Sequence, residues 1–311
     1  MAIHRLRFRF AALLLGALLT GCAALPDAQP FADTSAQLAG STRAAGTALT
    51  QSLQAAKFDA AATQVDQAWK ARVQAADAMA GYGERVAALA AAGNQGRDSA
   101  GKLAGALTDL VKITVTAQVT AVVDIAKALY EQAARAAAAQ QLDQAFQLAQ
   151  PVIDQFADAL EEDLNKRVVP LLRNAQRQQL SDIDSADGGD DKRKLLKQYD
   201  DRITLLRRTS LDSTLAPQAR QDATAEGTRL EALFTGLQTD MAARQKAKDD
   251  VQAAYATRLA LVNQLSLSVQ AWAQAHRDLA QAVRDKRKVD VTTLLNTVQE
   301  LRDLIRKVRT T

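Results

Sequence analysis

The sequence is poor in the residues that punctuate a chain. Its 311 residues include one cysteine, five prolines and fourteen glycines. A lone cysteine excludes an intramolecular disulfide framework. So few turn formers exclude a many-stranded sandwich or barrel, which needs a turn about every ten residues. Glycine-rich phosphate loops, nucleotide fingerprints and nucleophile elbows are missing. The sequence therefore predicts no enzyme activity and requires no cofactor. Present instead are 48% hydrophobic and 24% charged residues, a balance that excludes a wholly disordered polyelectrolyte.

Long apolar runs are also absent. Ala11 to Leu19 is a run of nine, short of the roughly 20 needed to span a bilayer. Arg5, Arg7 and Arg9 precede it, and Leu19-Thr20-Gly21-Cys22 closes it. A cationic start, an apolar run and small residues before a cut read as a signal peptide over 1–21. The sole cysteine stands directly after the cut. This resembles the lipobox of bacterial lipoproteins, and the resemblance covers residues 1–23. It implies diacylglycerol on the Cys22 thiol, cleavage before Cys22 and acylation of the new amine, palmitate being the expected acyl group. One chain binds membranes marginally and two anchor stably. Ala23 stands where an aspartate would retain an enterobacterial lipoprotein at the inner membrane, so the expected site is the periplasmic face of the outer membrane.

Removal of residues 1–21 takes three arginines and leaves 36 basic and 35 acidic side chains. The formal +4 of the whole chain thus falls to +1, and no overall field attracts nucleic acid. Residues 22–34, with Pro26 and Pro30, read as lipidated cysteine and tether. Residues 35–311 read as one helical bundle with a candidate sub-boundary at 184–191. Charge is uneven across it: residues 22–150 hold 21 charged side chains and residues 151–311 hold 50.

Periodicity predicts helices over Ser35–Ala92, Asp98–Gln140, Leu142–Ile183 and Lys192–Thr209. Pro151 and Pro170 should kink or interrupt the third. The longest signal starts near Pro217. Alternating steps of four and three from Leu230 give Leu230, Phe234, Leu237, Met241, Arg244, Lys248, Val251, Tyr255, Arg258, Val262, Leu265, Val269, Trp272, His276, Leu279 and Val283. Twelve of these sixteen positions are apolar or aromatic, a coiled-coil-like seam. Unbroken over 217–286, that helix would be about 105 Å long. Asp290 can cap a last helix with the seam Val291, Leu294, Val298, Leu301, Ile305 and Val308. A short break between two seamed helices predicts an antiparallel hairpin.

Several features invite functional readings. Residues 113–123, ITVTAQVTAVV, carry eight β-branched residues of eleven and no charge. Ile113, Val115, Val119 and Val123 alternate as in a strand, yet Leu107, Val111, Val115 and Val119 also form a helical stripe. A buried helix, a β-hairpin tongue and a membrane-inserting segment all remain open, and whether 113–123 is helix or strand is not decided by pattern. The 103–129 region gives the chain a coarse architectural similarity to α-helical pore-forming toxins. Asp182, Asp184, Asp187, Asp190 and Asp191 invite calcium, but the EF-hand register fails at Asp187 and Arg193. His276 is the only histidine of the cleaved chain; without a second histidine or a free cysteine it predicts no metal site. Arg244, Lys248 and Arg258 interrupt the seam, either where the helix outreaches its packing partner or where acidic groups meet them. Trp69 and Trp272 lie on helical stripes and read as packing.

The fold class expected is all-α: an elongated antiparallel bundle of long, partly coiled-coil-like helices. The function expected is that of a lipid-anchored envelope scaffold or accessory protein, binding an envelope protein or itself. A membrane-active pore-forming-like protein and a periplasmic binder of an envelope ligand are the alternatives.

Overall fold

The computed structural model describes residues 26–92, 97–116, 142–185 and 189–310. The fold is an all-α bundle, and among the described residues there is no strand. Helices α1 (Gln29–Ala55) and α2 (Asp59–Ala92) are followed by α3 (Arg97–Thr116). Next come α4 (Leu142–Asp163), a π-helical turn (Leu164–Val168) and α5 (Val169–Ser185), which run on from one another. Then follow α6 (Gly189–Leu211), α7 (Pro217–Asp285) and α8 (Thr292–Thr310).

Two boundaries differ from the sequence expectation. Helix α1 starts at Gln29, inside the segment read as tether, because Pro30 suits a first helical turn and Asp27 Oδ1 accepts the Gln29 amide at 2.9 Å. The single helix expected over 35–92 is also two helices. They break at Ala56–Lys57–Phe58, where the sequence has neither glycine nor proline. Lys57 takes φ +63°. Its N–H donates to Gln54 O at 2.8 Å, and the Phe58 N–H donates to Leu53 O at 2.9 Å. These two bonds are the Schellman closure of a helix end, here built on a lysine. Lys286, at φ +54°, ends α7 in the same way, with the Arg287 N–H on Ala282 O.

The prolines act unequally. Pro151 lies inside α4 without ending it. Just before Pro170 the helix widens into the π turn. A proline ring collides with the carbonyl four residues back, and one inserted residue moves that carbonyl aside.

Contacts divide the chain into two compact units, one containing residues up to Pro170 with Leu259–Thr311, the other Leu171–Arg258. The turn at 184–191 lies within the second.

In the first unit α1 and α2 pair antiparallel. Arg43 meets Asp77 at 2.8 Å, Trp69 Nε1 donates to Thr42 O at 2.7 Å, and Gly83 lies against Ser35. The pairing is close because the contact residues are small. A Cβ on Gly46 would fall 2.2 Å from Trp69 Cδ1, so the indole occupies the space a side chain would need. Arg85 carries the contact on to Asp109 of α3 at 2.5 Å. Buried large side chains such as Phe31, Leu49, Met79, Phe146, Phe156 and Trp272 fill the core, each contributing roughly 2 kcal/mol by removal from water.

Helix α8 turns back along α7. Asp290 Oδ1 caps it through the Thr292 amide at 2.9 Å. Gln264 Nε2 donates to Thr297 O at 3.1 Å and to Glu300 at 2.9 Å. Gln264 lies about 31 Å from the end of α7, but Thr297 only about 8 Å into α8. The non-helical connection through Val291 covers the difference. All five seam residues from Leu294 to Val308 are buried.

The second unit is an antiparallel hairpin in which α5 and α6 run against the first part of α7. Asp184 meets Arg244 at 2.7 Å, Lys192 meets Asp240 at 3.8 Å, and Arg207 meets Glu231 at 2.8 Å. Numbers rise on α5 and α6 while those on α7 fall. Helices α5 and α6 therefore lie end to end against one continuous partner. All sixteen positions of the α7 seam are shielded: half-buried through Tyr255, buried from Arg258 onward. The change comes at the boundary between the units. Two helices shield one seam only from each other, whereas a bundle closes over it.

Candidate functional site

Cys22, Leu19, Thr20 and Gly21 lie outside the described residues. Ile113 and Val115 belong to α3, whose backbone is helical through Thr116, while Val119 and Val123 lie outside the described residues. Among the described residues, no helix is long and apolar enough to cross a membrane.

The first unit holds a buried polar network centred on His276 of α7. His276 is fully shielded. Its Nε2 lies 2.7 Å from Tyr82 Oη of α2, and its Nδ1 lies 2.6 Å from Gln150 Oε1 of α4. The Gln150 amide nitrogen donates to Ala273 O at 3.2 Å and to Asp154 at 2.7 Å. Those two bonds fix the amide with its oxygen toward the imidazole. An oxygen there accepts only, so Nδ1 carries the proton, Nε2 accepts, and Tyr82 donates. Burial, with the nearby Arg277 charge, lowers the imidazole pKa from its ordinary value to about 3. Burial likewise raises the Tyr82 phenol well above its usual range. Trp272 joins the network one turn earlier, stacked on Phe31 with centroids 5.9 Å apart, its Nε1 donating to Ser35 Oγ at 2.9 Å. A neutral histidine with both nitrogens engaged and no access to water has no free lone pair for a metal. The network ties α1, α2, α4 and α7 together.

A second buried polar site is an ion pair. Arg72 and Asp163 are each 2% exposed and in direct contact, and Arg167 reaches Asp163 at 3.5 Å. Arg72 also donates to Ala68 O. Burial is the larger influence on both partners, lowering the Arg72 pKa and raising that of Asp163 against their mutual attraction. Asp163 immediately precedes the π turn, so the pair fixes the place where the helix widens.

The acidic turn is partly spent within the hairpin. Asp184 accepts from Arg244 at 2.7 Å and Lys248 at 2.5 Å, and the two cations hold its carboxyl below the usual range. Arg244 and Lys248 thus interrupt the seam because an acidic partner meets them there. Asp182 accepts from Gln178 at 2.8 Å. Among the described residues, no cluster of ligating side chains would hold a metal ion.

The hairpin also leaves four leucines open. Leu205 is 51% exposed, Leu211 83%, Leu215 38% and Leu233 48%. Leu205 and Leu233 each stand two residues from a member of the Arg207–Glu231 pair, about 200° around their helices. The two leucines therefore share the edge of the hairpin opposite that ion pair. They lie off the seam, and exposed leucines on a helix whose core stripe is already complete are their only sequence signal. No protein-family model matches the chain, and no curated protein or solved structure is similar to it.

Proposed function

We propose that this chain is a lipid-anchored cell-envelope protein of structural, protein-binding type, and that the edge of its α6–α7 hairpin is the surface a protein partner reads. The observation that carries this reading is the exposed pair Leu205 and Leu233, which share that edge of the second unit. A single layer of α5 and α6 against α7 has no second layer to bury such residues, and a docking partner supplies one. Residues 200–233 carry five basic and six acidic side chains. A nearly neutral surface favours an apolar partner face over electrostatic steering. The Leu19–Cys22 sequence supports the anchor, and Ala23 supports the outer membrane with the body on its periplasmic side.

The test is photo-cross-linking in bacterial cells carrying the full chain. A photoreactive residue at Leu205 or Leu233 should yield one discrete protein adduct, and one at exposed Lys57 should not yield it. Absence of an adduct from both leucine positions, or the same adducts from Lys57, overturns the reading. Membrane attachment is tested separately. Metabolic labelling with an alkyne fatty acid should mark the wild type but not Cys22→Ser.

A further inference from the structure

Helices α1 and α8 enclose a groove of about 650 Å³ in the first unit. Its floor is small and weakly polar: Ala36, Gly40, Ser41 and Ala44 of α1, with Ile305 of α8. Its wall is cationic: Arg302, Arg306 and Arg309 follow one another on one face of α8. Spacings of four and three residues put all three on one stripe about 10 Å long. Arg306 is paired with Asp303 of its own helix. Arg302 and Arg309 have no ion-pair partner among the described residues, and no carboxylate lines the groove. The cleaved chain is close to neutral overall, so this cationic stripe is local. A Cβ added at Gly40 meets nothing within 4 Å. The groove is therefore open at its floor.

We infer that this groove binds an anionic phospholipid. Its headgroup phosphate lies between Arg302 and Arg309, and the adjoining acyl-glycerol portion rests on the Gly40–Ala44 floor. The guanidinium fork matches phosphate oxygens two at a time. A small, weakly polar floor beside a cationic wall suits an amphiphile better than a simple anion. Chain length supplies the access. Six residues separate Cys22 from α1, a reach of at most about 24 Å. Gly40 is about 16 Å further along the helix. This part of the argument rests on the anchor proposed above; the chemistry of the groove does not.

The test uses purified full-length Cys22→Ser protein, which has no lipid of its own, and sedimentation with vesicles of phosphatidylcholine with or without phosphatidylglycerol. Binding should require phosphatidylglycerol. The Arg302→Gln/Arg309→Gln variant should lose roughly fivefold per arginine, or about 30-fold for the pair. Gly40→Leu should weaken binding as strongly while leaving the charge untouched, and its melting temperature should not fall. Soluble short-chain phosphatidylglycerol should compete, and inorganic phosphate should not. Normal binding by Gly40→Leu means ordinary surface electrostatics and overturns the proposal. Equal competition by inorganic phosphate means a small-anion site and overturns it also. The anchor is judged by acyl labelling at Cys22 alone: unlabelled wild type with intact vesicle binding refutes the anchor and keeps the groove, and the reverse result refutes the groove alone.

Discussion

Acid should weaken this protein through one buried imidazole. In the folded chain His276 has a pKa near 3; in the unfolded chain it returns to about 6.5. Between those values the unfolded state binds the extra proton, so stability falls as pH falls. Well above pH 6.5 neither state is protonated and the group contributes no slope. Integrated from pH 7 to pH 5, the loss is about 2 kcal/mol. The groups facing the ring are Tyr82 of α2, Gln150 of α4 and Arg277 beside it on α7, with Asp154 behind Gln150. Nothing in contact with the ring is an anion that would favour the imidazolium. The assay is urea unfolding at pH 7 and pH 5 for wild type and His276→Asn. The variant retains a donor toward Gln150 but cannot titrate. It should be less stable at pH 7, because Tyr82 loses its acceptor, and should lose about 2 kcal/mol less than wild type on acidification. Surface carboxylates titrate in both proteins and cancel in the comparison. Equal losses would refute the reasoning.

Two further perturbations test the packing of the first unit. Arg72→Met leaves the buried Asp163 carboxylate only Arg167, at 3.5 Å, and should cost about 3 kcal/mol. Arg72→Met/Asp163→Leu should cost less than the single change; an additive loss in urea unfolding would mean that the pair is not coupled. Gly46→Ala drives a Cβ into the Trp69 ring and should cost about 1–3 kcal/mol. Gly40→Ala enters open space and should gain up to about 1 kcal/mol from helix propensity. Thermal melts showing the same sign for both glycines would contradict the packing described.

The helices were largely legible because their signals are local. The α7 seam could be followed through sixteen positions, and the structure shields every one. Pro217 marked the start of α7, and Asp290 marked the cap of α8. The break at Lys57 was not legible. Sequence reasoning looks for glycine at a left-handed position, and here tertiary packing against α2 compensates for a lysine in that conformation. Gly46 was equally silent. Its requirement comes from an indole 23 residues away in the chain, and only pairing of α1 with α2 brings the two together.

The interruptions of the seam were more informative than its apolar positions. The apolar residues say that α7 packs; the polar ones distinguish how. Where α7 belongs to the hairpin, Arg244 and Lys248 meet Asp184 at a half-buried surface, and their charges cost little because water still reaches them. Where α7 belongs to the larger unit, water is excluded. There His276 is tolerated only as a neutral ring with both nitrogens bonded. One seam thus carries two solutions to the same problem, and the change between them follows the change in how many helices surround it. A sequence pattern with period seven shows where the seam runs. Whether a polar residue within it is solvated, ion-paired or buried depends on residues far away in the chain, such as Tyr82 of α2, 194 residues from His276, which the pattern does not contain.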